Sequence, residues 1–518
     1  MSEPWVRFED EHLLAVAKPA GVNTHRAHVH AQDGMHEWVQ RQRPDASLSI
    51  LHRLDKATSG LLLFGKTPAA NRSLAAQFED RTVAKRYELL VERDDRRPQA
   101  LRSQQPVDGL DAETDFERQA SGASFDRWVA HPRTGRTHQV RAHATAAGMP
   151  ILGDAEHHGA PAARLFLHAA RLRVHHPSAA LLELVAHRPA SFDAVLAGES
   201  PDGPALAAVV AHEARAALFD PADTDAYLWI DRHHDGFPAT RVERLGDVAL
   251  VLRYDAGRPL DPAWLAAWGD ALHLRAVYEQ RRPHGGGGGP ARILTGSGSP
   301  HFEVKEMGAR YVVDLTATAT SSGLFLDQRE TRRELLSMDL TGRTVLNTFA
   351  HTGSLSVAAA LAGGETLTLD LSRRYLDWAR DNLRANHLDP ADHDFVFGDA
   401  MEWLERLAKK GRAFDLVLVD PPSSSTARKQ GGSRWVLDRD LHALVARAAR
   451  VTAPGGSLFV STNLRRMTWP RFLGHLREGL AAAGRAGTVD TRTLPLDHRS
   501  GSNDPPYLKA AWIRLNDR

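Results

Sequence analysis

Two sets of residues in this sequence have the types and spacing to do chemistry. The first is His52-Arg-Leu-Asp-Lys-Ala-Thr-Ser-Gly60, which runs straight into the apolar Leu61-Leu-Leu-Phe64 and so sets a charged turn at the mouth of a buried strand. Asp55 is the sole acid of that stretch, between Arg53 and Lys56. An acid flanked by two cations is held as a carboxylate, and a carboxylate can act as a nucleophile. Taken alone, the stretch reads more readily as a surface turn whose charges pair with one another. The second set is a series of strand ends. Thr344-Val-Leu346 leads through Asn347-Thr-Phe-Ala-His-Thr-Gly353 into a helix from Ser354; Asp370 ends the next apolar run, Asp399 follows a third, and Asp420-Pro-Pro422 ends a fourth. A glycine at a strand-to-helix turn lets the backbone approach a ligand. An acid at the second strand end can bind two ribose hydroxyls, and one at the third can reach an adenine. Singly, each is also an ordinary helix N-cap; four in order are a pattern.

The elements that must position these residues differ between the two ends of the chain. Up to about residue 195, strand-like runs (Leu13–Ala17, Gly60–Phe64, Tyr87–Val91, Leu181–Val185) are spread among loops and a few helices, which predicts an α+β domain over 1–195. Ala, Pro, Gly and Asp dominate 196–221, which reads as a linker that a helix from Ala205 to Phe219 could cross. A small α+β middle domain is expected over 222–321, with strands at Asp247–Arg253, Leu272–Tyr278, Phe302–Lys305 and Ala309–Asp314 and a helix from Pro262. Its five glycines, Gly285 to Gly289, read as a loop tip; no Lys-Ser/Thr pair follows that would make them a phosphate cradle. From residue 322 to 518 strand, turn and helix alternate, which predicts a doubly wound α/β domain with its ligand at the strand C-termini.

Two further segments join the first set: Arg81-Thr-Val-Ala-Lys-Arg-Tyr87 and Gly135-Arg-Thr-His-Gln-Val-Arg-Ala-His143. With Lys18-Pro-Ala-Gly21 and Arg164-Leu-Phe-Leu-His-Ala169, they resemble the signature segments of the RluA-type pseudouridine synthases across about residues 8 to 190. The resemblance implies the pseudouridine synthase fold and assigns the catalytic aspartate to Asp55. It gives displacement of the target base to Arg53, packing on the flipped uracil with help in proton transfer to Tyr87, and pairing with the catalytic aspartate to Arg141. Isomerising uridine breaks one glycosidic bond and makes another without net redox change or hydrolysis, so no cofactor is expected for this half. The uracil must leave its stack, at a cost of a few kcal/mol, before any side chain can reach it. Whether Asp55 first attacks the ribose or the base stays open. Few residues precede Lys18, so the small S4-type RNA-binding module common in the family is expected to be missing.

The second set resembles the class I S-adenosylmethionine-dependent methyltransferases, with a Rossmann-like sheet. Phe325-Leu-Asp-Gln-Arg329, the turn through Gly353, Asp370-Leu-Ser-Arg-Arg-Tyr-Leu-Asp-Trp-Ala379 and Val419-Asp-Pro-Pro422 are similar to the large-subunit ribosomal RNA methyltransferases, above all to those forming 7-methylguanosine. S-adenosylmethionine is the implied cofactor. It is placed against Asp327, Arg329, Asn347, Phe349, Gly353, Asp370, Asp399, Asp420 and Pro421. A sister group makes 5-methylcytidine, but C5 of cytosine becomes nucleophilic only after a thiolate adds at C6, and this chain has no cysteine. N7 of guanine has a lone pair in the ring plane and needs little more than alignment. Exocyclic amine methylation stays open. One departure is Ser423-Ser424 where the 7-methylguanosine relatives carry Thr-Phe. The middle region, with Asp231-Arg-His-His-Asp-Gly-Phe-Pro-Ala239 and Leu245-Gly-Asp247, resembles the insert before the catalytic domain of these enzymes, an expected RNA contact, and Tyr507-Leu-Lys509 resembles their closing strand.

Composition sets the outer bounds. At roughly 150 residues per domain, 518 residues give room for two to four domains. With 65 Lys and Arg against 64 Asp and Glu, the chain is not a uniformly cationic nucleic-acid coat, although a local basic groove fits. No apolar run approaches the roughly 18 residues of a membrane span, and the start lacks a secretory pattern, so a cytoplasmic location without membrane contact is expected. Zero cysteines exclude disulfides and Cys-ligated metals within the chain. His131, His138, His143, His157, His158, His168, His175 and His176 crowd the first domain without the helical spacing of a zinc motif, so packing and RNA contact are expected of them and no metal. The combined expectation is a bifunctional RNA-modifying enzyme whose partner is RNA, with 23S rRNA ahead of tRNA; the rival has one half as a catalytically idle RNA-binding module.

Overall fold

The computed structural model describes residues 3–254, 260–282, 289–317, 321–422, 436–500 and 505–517. The chain divides into two compact units: residues 1–27, 33–287 and 292–298 form the first, and residues 28–32, 288–291 and 299–518 the second. The glycine run, Gly289 apart, and Ser423-Ser424 lie outside the described residues. No described helix is long and apolar enough to cross a membrane.

A ten-stranded mixed sheet dominates the first unit. Its order runs Val6–Glu9, Leu13–Lys18, Ser59–Gly65, Leu167–His175, Ala84–Glu92, Phe125–Pro132, Thr114–Ser121, Ala100–Ser103, with Leu181–Val185 and Ser49–Ile50 attached beside it. Leu61 to Phe64 are fully buried, as a continuous apolar run between other strands requires. Leu13, Ala15, Leu61, Leu63, Leu74 and Leu172 form one core patch; Leu89, Val91, Trp128, Ala144 and Ile151 form another.

Register brings the signature segments together. Ser59 and Gly60 pair in parallel with His168 and Ala169, and Ala169 pairs on its other side with Tyr87. Gly60 is required at this crossing: its φ is +121°, and a Cβ would lie 2.3 Å from the Ala169 carbonyl oxygen. Gly60→Ala should therefore cost at least about 2 kcal/mol, through positive φ and a clash with backbone that cannot yield. Denaturant unfolding reads this directly; an unchanged midpoint would refute the crossing.

The stretch expected as a linker holds the helix Pro204–Ala216, whose Leu206 and Val210 pack with Phe166, Phe192 and Val195. It is followed by a five-stranded sheet, Ala226–Asp231, Thr240–Leu245, Val248–Tyr254, Ala276–Arg282 and Arg292–Gly296 in that order. The first two strands were not legible in the sequence.

The second unit is the predicted doubly wound domain. Its strands are β1 (Thr344–Thr348), β2 (Glu365–Asp370), β3 (Asp394–Phe397), β4 (Phe414–Val419), β5 (Thr452–Thr462), β6 (Gly487–Arg492) and β7 (Lys509–Leu515). They lie in the order β3-β2-β1-β4-β5-β7-β6, all parallel except that β7 runs antiparallel to both neighbours. Crossover helices are α1 (Ser354–Leu361), α2 (Arg373–Ala385), α3 (Ala400–Lys409), α4 (Leu437–Val451) and α5 (Trp469–Ala482). Leu346, Leu369, Val417, Val419 and Val460 meet Leu441, Leu444 and Leu476 in one core. A hairpin, His301–Glu306 with Ala309–Asp314, is anchored on α2: Trp378 Nε1 donates to the Val312 carbonyl at 2.9 Å, and Asn382 Oδ1 accepts from the Val312 N–H at 2.7 Å.

Two candidate active sites

The first site is a cleft of about 910 Å³ in the first unit, lined among others by Arg53, Asp55, Tyr87, Lys85, His138 and Arg141. Asp55 sits in the turn just before Ser59–Gly65, with the Thr58 N–H on its carbonyl at 3.1 Å. Arg141, from the helix Gln139–Ala146, brings Nη1 to 3.8 Å from Asp55 Oδ2, and His138 Nε2 stands 3.8 Å from Oδ1. The expected Arg141–Asp55 pairing is thus a long contact. Arg141 is held instead by buried Asp154, at 2.7 and 2.6 Å through two nitrogens, and by Glu156 at 2.7 Å. Tyr87 is half-buried; burial, then the Asp55 charge, push its phenol above the ordinary value, so the hydroxyl keeps its proton. Arg53 is exposed at the mouth and makes no hydrogen bond or ion pair among the described residues.

Residues that sequence reasoning gave no role hold this constellation. Lys18, 1% exposed at the end of an apolar strand, donates from Nζ to the carbonyls of Val22 at 2.7 Å, Pro19 at 3.1 Å and Lys56 at 3.3 Å; the Gly21 N–H adds a bond to Lys56 at 2.7 Å. Thr24 grips Leu54 both ways, donating to its carbonyl at 2.9 Å and accepting from its N–H at 3.0 Å. The neighbours of Asp55 on both sides are therefore fixed. Gln139 orders the turn at Thr134–Arg136, accepting from the Thr134 hydroxyl at 2.6 Å and the Arg136 N–H at 3.0 Å. His52 accepts from the Leu63 N–H at 3.0 Å, and burial, with Lys85 nearby, lowers it to about 4, so its ring is neutral. Burial and Arg81 bring Lys85 down to about 8. A buried lysine in a strand was the one visible signal, since an uncompensated ammonium does not bury.

The second site lies at the C-terminal ends of β1 to β4. Asp370, ending β2, accepts from the His351 N–H through Oδ2 and from the Ser372 N–H through Oδ1, each at 2.8 Å, and burial raises its pKa. Within the turn after β1, Phe349 and His351 both have left-handed backbones, with φ of 56° and 50°. Non-glycine residues pay for that conformation, and such strain gathers at working sites. Asp399 after β3 caps α3 through the Glu402 N–H at 3.1 Å. Asp420 after β4 accepts from Ser461 at 2.6 Å and Gln328 at 3.0 Å; burial, with the Asp327 charge, pushes it up to about 6 against those bonds. Asp327 itself accepts from the Tyr507 hydroxyl at 3.1 Å, and Pro421 is buried. Gln328 and Ser461 had no assigned role from the sequence.

Three of the expected donor residues are engaged elsewhere. Arg329 is fully buried, with Nε 3.0 Å from Glu306 and Nη1 2.6 Å from Asp497, while Arg332 also holds Glu306. The Arg329 guanidinium, next to Asp327 and Gln328 in the chain, is taken up by these two buried acids. Asn347 is also buried, donating to Ser356 on α1 at 2.9 Å. Gly353 has φ +73°, and a Cβ there would meet Ala379 of α2 at 2.6 Å, so the close approach that needs glycine is to a helix. Asp327, Phe349, Asp370, Asp399, Asp420 and Pro421 remain at or beside the strand ends.

Fold and strand-end acids define a methyltransferase domain, and the cleft around Asp55 a second enzymatic domain before it. Residues 12–146 match the RNA pseudouridylate synthase family and residues 251–483 the S-adenosylmethionine-dependent methyltransferase family. "Putative ribosomal RNA large subunit methyltransferase YwbD" of Bacillus subtilis is 31% identical over 313 residues, 59% of this chain and 78% of that protein. Ribosomal RNA large subunit methyltransferase K/L of Chromohalobacter salexigens is 40% identical over 249 residues, and this chain spans only 33% of its length. The solved structure of SMU.776, "a putative methyltransferase complexed with SAH", is 28% identical with a TM-score of 0.50, over 56% of this chain and 75% of that one. The chain belongs to the S-adenosylmethionine-dependent methyltransferases and carries an RluA-type pseudouridine synthase domain at its N-terminal end.

Proposed function

We propose that this chain carries out two modifications of large-subunit ribosomal RNA, isomerising a uridine to pseudouridine in the first unit and methylating a base, N7 of a guanine, in the second. The observation that carries this reading is the meeting of Arg53, Asp55, Tyr87 and Arg141, distant in sequence, on one cleft of the size that takes an extruded nucleotide. In the isomerisation the N1–C1′ bond breaks, a C5–C1′ bond forms, and one proton leaves C5 while N1 gains one. Asp55 is the catalytic carboxylate. Tyr87, kept protonated, packs on the uracil and donates. Arg53, free at the mouth, takes the place of the displaced base, and Arg141, fixed by Asp154, orients the Asp55 carboxylate.

In the second unit the acids fit a cationic, ribose-bearing donor: Asp370 offers remaining lone pairs to a diol, Asp399 stands one strand away toward an adenine, and Asp420 lies opposite with Gln328 and Ser461. S-adenosylmethionine supplies an electrophilic methyl group when bound. With no thiol in the chain, activation at C6 of a cytosine is not available to it, whereas guanine N7 needs only to be aligned. Phe349 after β1, Pro421 after β4, and Asp327, which accepts from Tyr507, are assigned the donor's remaining contacts.

Nucleoside mass mapping of rRNA and tRNA from cells lacking the gene tests the whole reading. One pseudouridine and one 7-methylguanosine should vanish from large-subunit rRNA. Loss from tRNA alone would refute the substrate, and loss of a single modification would make the other half an RNA-binding module. A pH experiment tests RNA contact in the cleft. Lys85, at about 8, is charged below that pH and neutral above it, so RNA binding should weaken from pH 7 to pH 9. The slope of log affinity against log salt should flatten by about 0.7–0.9, the share of one phosphate contact. Lys85→Arg should hold the slope constant in anisotropy titrations, and a wild-type slope indifferent to pH would remove Lys85 from the RNA path.

A further inference from the structure

The seam between α4 and α5 holds His442, His475 and Glu478, whose ligand-capable atoms all lie within 4.8 Å of one another. His475 and Glu478, three residues apart on α5, share a face, and His442 faces them from α4. The helices approach closely because Gly479 has no side chain: a Cβ there would stand 2.6 Å from the His442 carbonyl oxygen and from Val445 Cβ. The two imidazoles lie nearly parallel, 10° apart with centroids at 5.8 Å.

These rings are left unsatisfied where two other buried histidines, His168 and His143, are not. His475 is 8% exposed, yet neither of its ring nitrogens, nor Nδ1 of His442, makes a well-formed hydrogen bond. His168 and His143, equally buried, each use both nitrogens, on Ser59 and the Ala186 carbonyl and on Thr114 and the Gln105 carbonyl. An imidazole buried with unmet nitrogens carries a desolvation penalty that a ligand would relieve. The Asp438 carbonyl, one turn before His442 and beside the His475 ring, already accepts from Arg471 Nη2 at 2.9 Å. Glu478 is exposed, and no Lys or Arg pairs with it among the described residues. The other trio of this kind, His138, Glu156 and His157, is different: Arg141 already sits on Glu156 at 2.7 Å.

We propose that His442, His475 and Glu478 bind one divalent transition-metal ion of the Zn²⁺ class, stapling α4 to α5 with one coordination position left to water. Two imidazoles and one carboxylate are a donor set this class prefers, at ligand distances of about 2.0–2.2 Å that modest side-chain rotations reach from the present separations. The ion spans the two helices and touches neither candidate active site, so its effect is on stability.

Untagged full-length protein, stripped by a chelator and then titrated with Zn²⁺, should take up one tight equivalent and gain several degrees in Tm. Co²⁺ in its place should give the visible ligand-field absorption of a low-coordinate nitrogen–oxygen site. Glu478→Gln alters an exposed side chain that the fold tolerates; it and His442→Gln should each weaken binding at least tenfold and remove the visible bands, whereas His157→Gln should leave both intact. Absence of a stoichiometric site, binding indifferent to Glu478→Gln and His442→Gln, or loss of binding in His157→Gln alone would overturn the proposal.

Discussion

Asp55→Asn should abolish pseudouridine formation, lowering turnover by at least about 10⁴-fold, while methyl transfer by the same preparation stays within about twofold of wild type. The amide keeps the size of the side chain and removes its charge and nucleophilicity, and losses of this order follow removal of a group that acts directly on the reacting atoms. The fold should not suffer, because the His138 ring and the Arg141 guanidinium stand 3.8 Å from Asp55 and Arg141 is held by Asp154 and Glu156 instead. Release of tritium from RNA labelled at uridine C5 follows the proton that must leave, and unchanged Tm certifies the fold. Retained tritium release would eliminate the carboxylate mechanism; equal loss of methyl transfer would eliminate independent sites. Arg141 is a poorer probe. Removing it would strand buried Asp154 without its bidentate partner, a change that typically costs about 3–5 kcal/mol and would confuse stability with catalysis.

What could be read from the sequence follows from how local each feature is. Asp55 stood out because a charged turn and a continuous apolar strand adjoin in the chain, and the acids after β2, β3 and β4 because each terminates a short apolar run. Contacts between distant residues left no such trace. Lys18 and Thr24 fix the residues on either side of Asp55 through main-chain atoms, which carry no residue identity. Arg329 resembled a ligand contact because its segment does, yet its partners Glu306 and Asp497 are remote in sequence and become visible only once all three are packed together. Gly353 shows the same limit from the other side: a positive φ and a close approach were legible as a need for glycine, but whether ligand or helix made the approach was not. Strand β5 was hidden because it opens on Thr452-Ala-Pro-Gly-Gly456, composition that reads as a turn until the Ser457–Thr462 stretch pairs with β4 and β7.

Asp370→Ala should weaken S-adenosylmethionine binding by about 10- to 100-fold in calorimetry, with pseudouridine formation unaffected. A charged acceptor meeting two hydroxyls is worth about 1.5–3 kcal/mol, and 1.4 kcal/mol is tenfold in affinity. Part of the loss would be indirect. The carboxylate also holds the His351 and Ser372 N–H groups, so its removal frees the strained turn after β1 and the start of α2 together. Asp370→Asn separates the two effects. An amide oxygen can keep one of those backbone bonds, but the NH₂ group opposes the other and presents a donor where the ribose requires an acceptor. Affinity should therefore fall nearly as far in Asp370→Asn as in Asp370→Ala if diol binding dominates, and recover most of the way if the turn dominates. Asp399→Ala removes mainly a helix cap, a change worth about 1 kcal/mol of stability, and should cost less affinity than either. Wild-type affinity in Asp370→Ala would take the donor away from the end of β2 and leave that acid as a bracket for the turn it already holds.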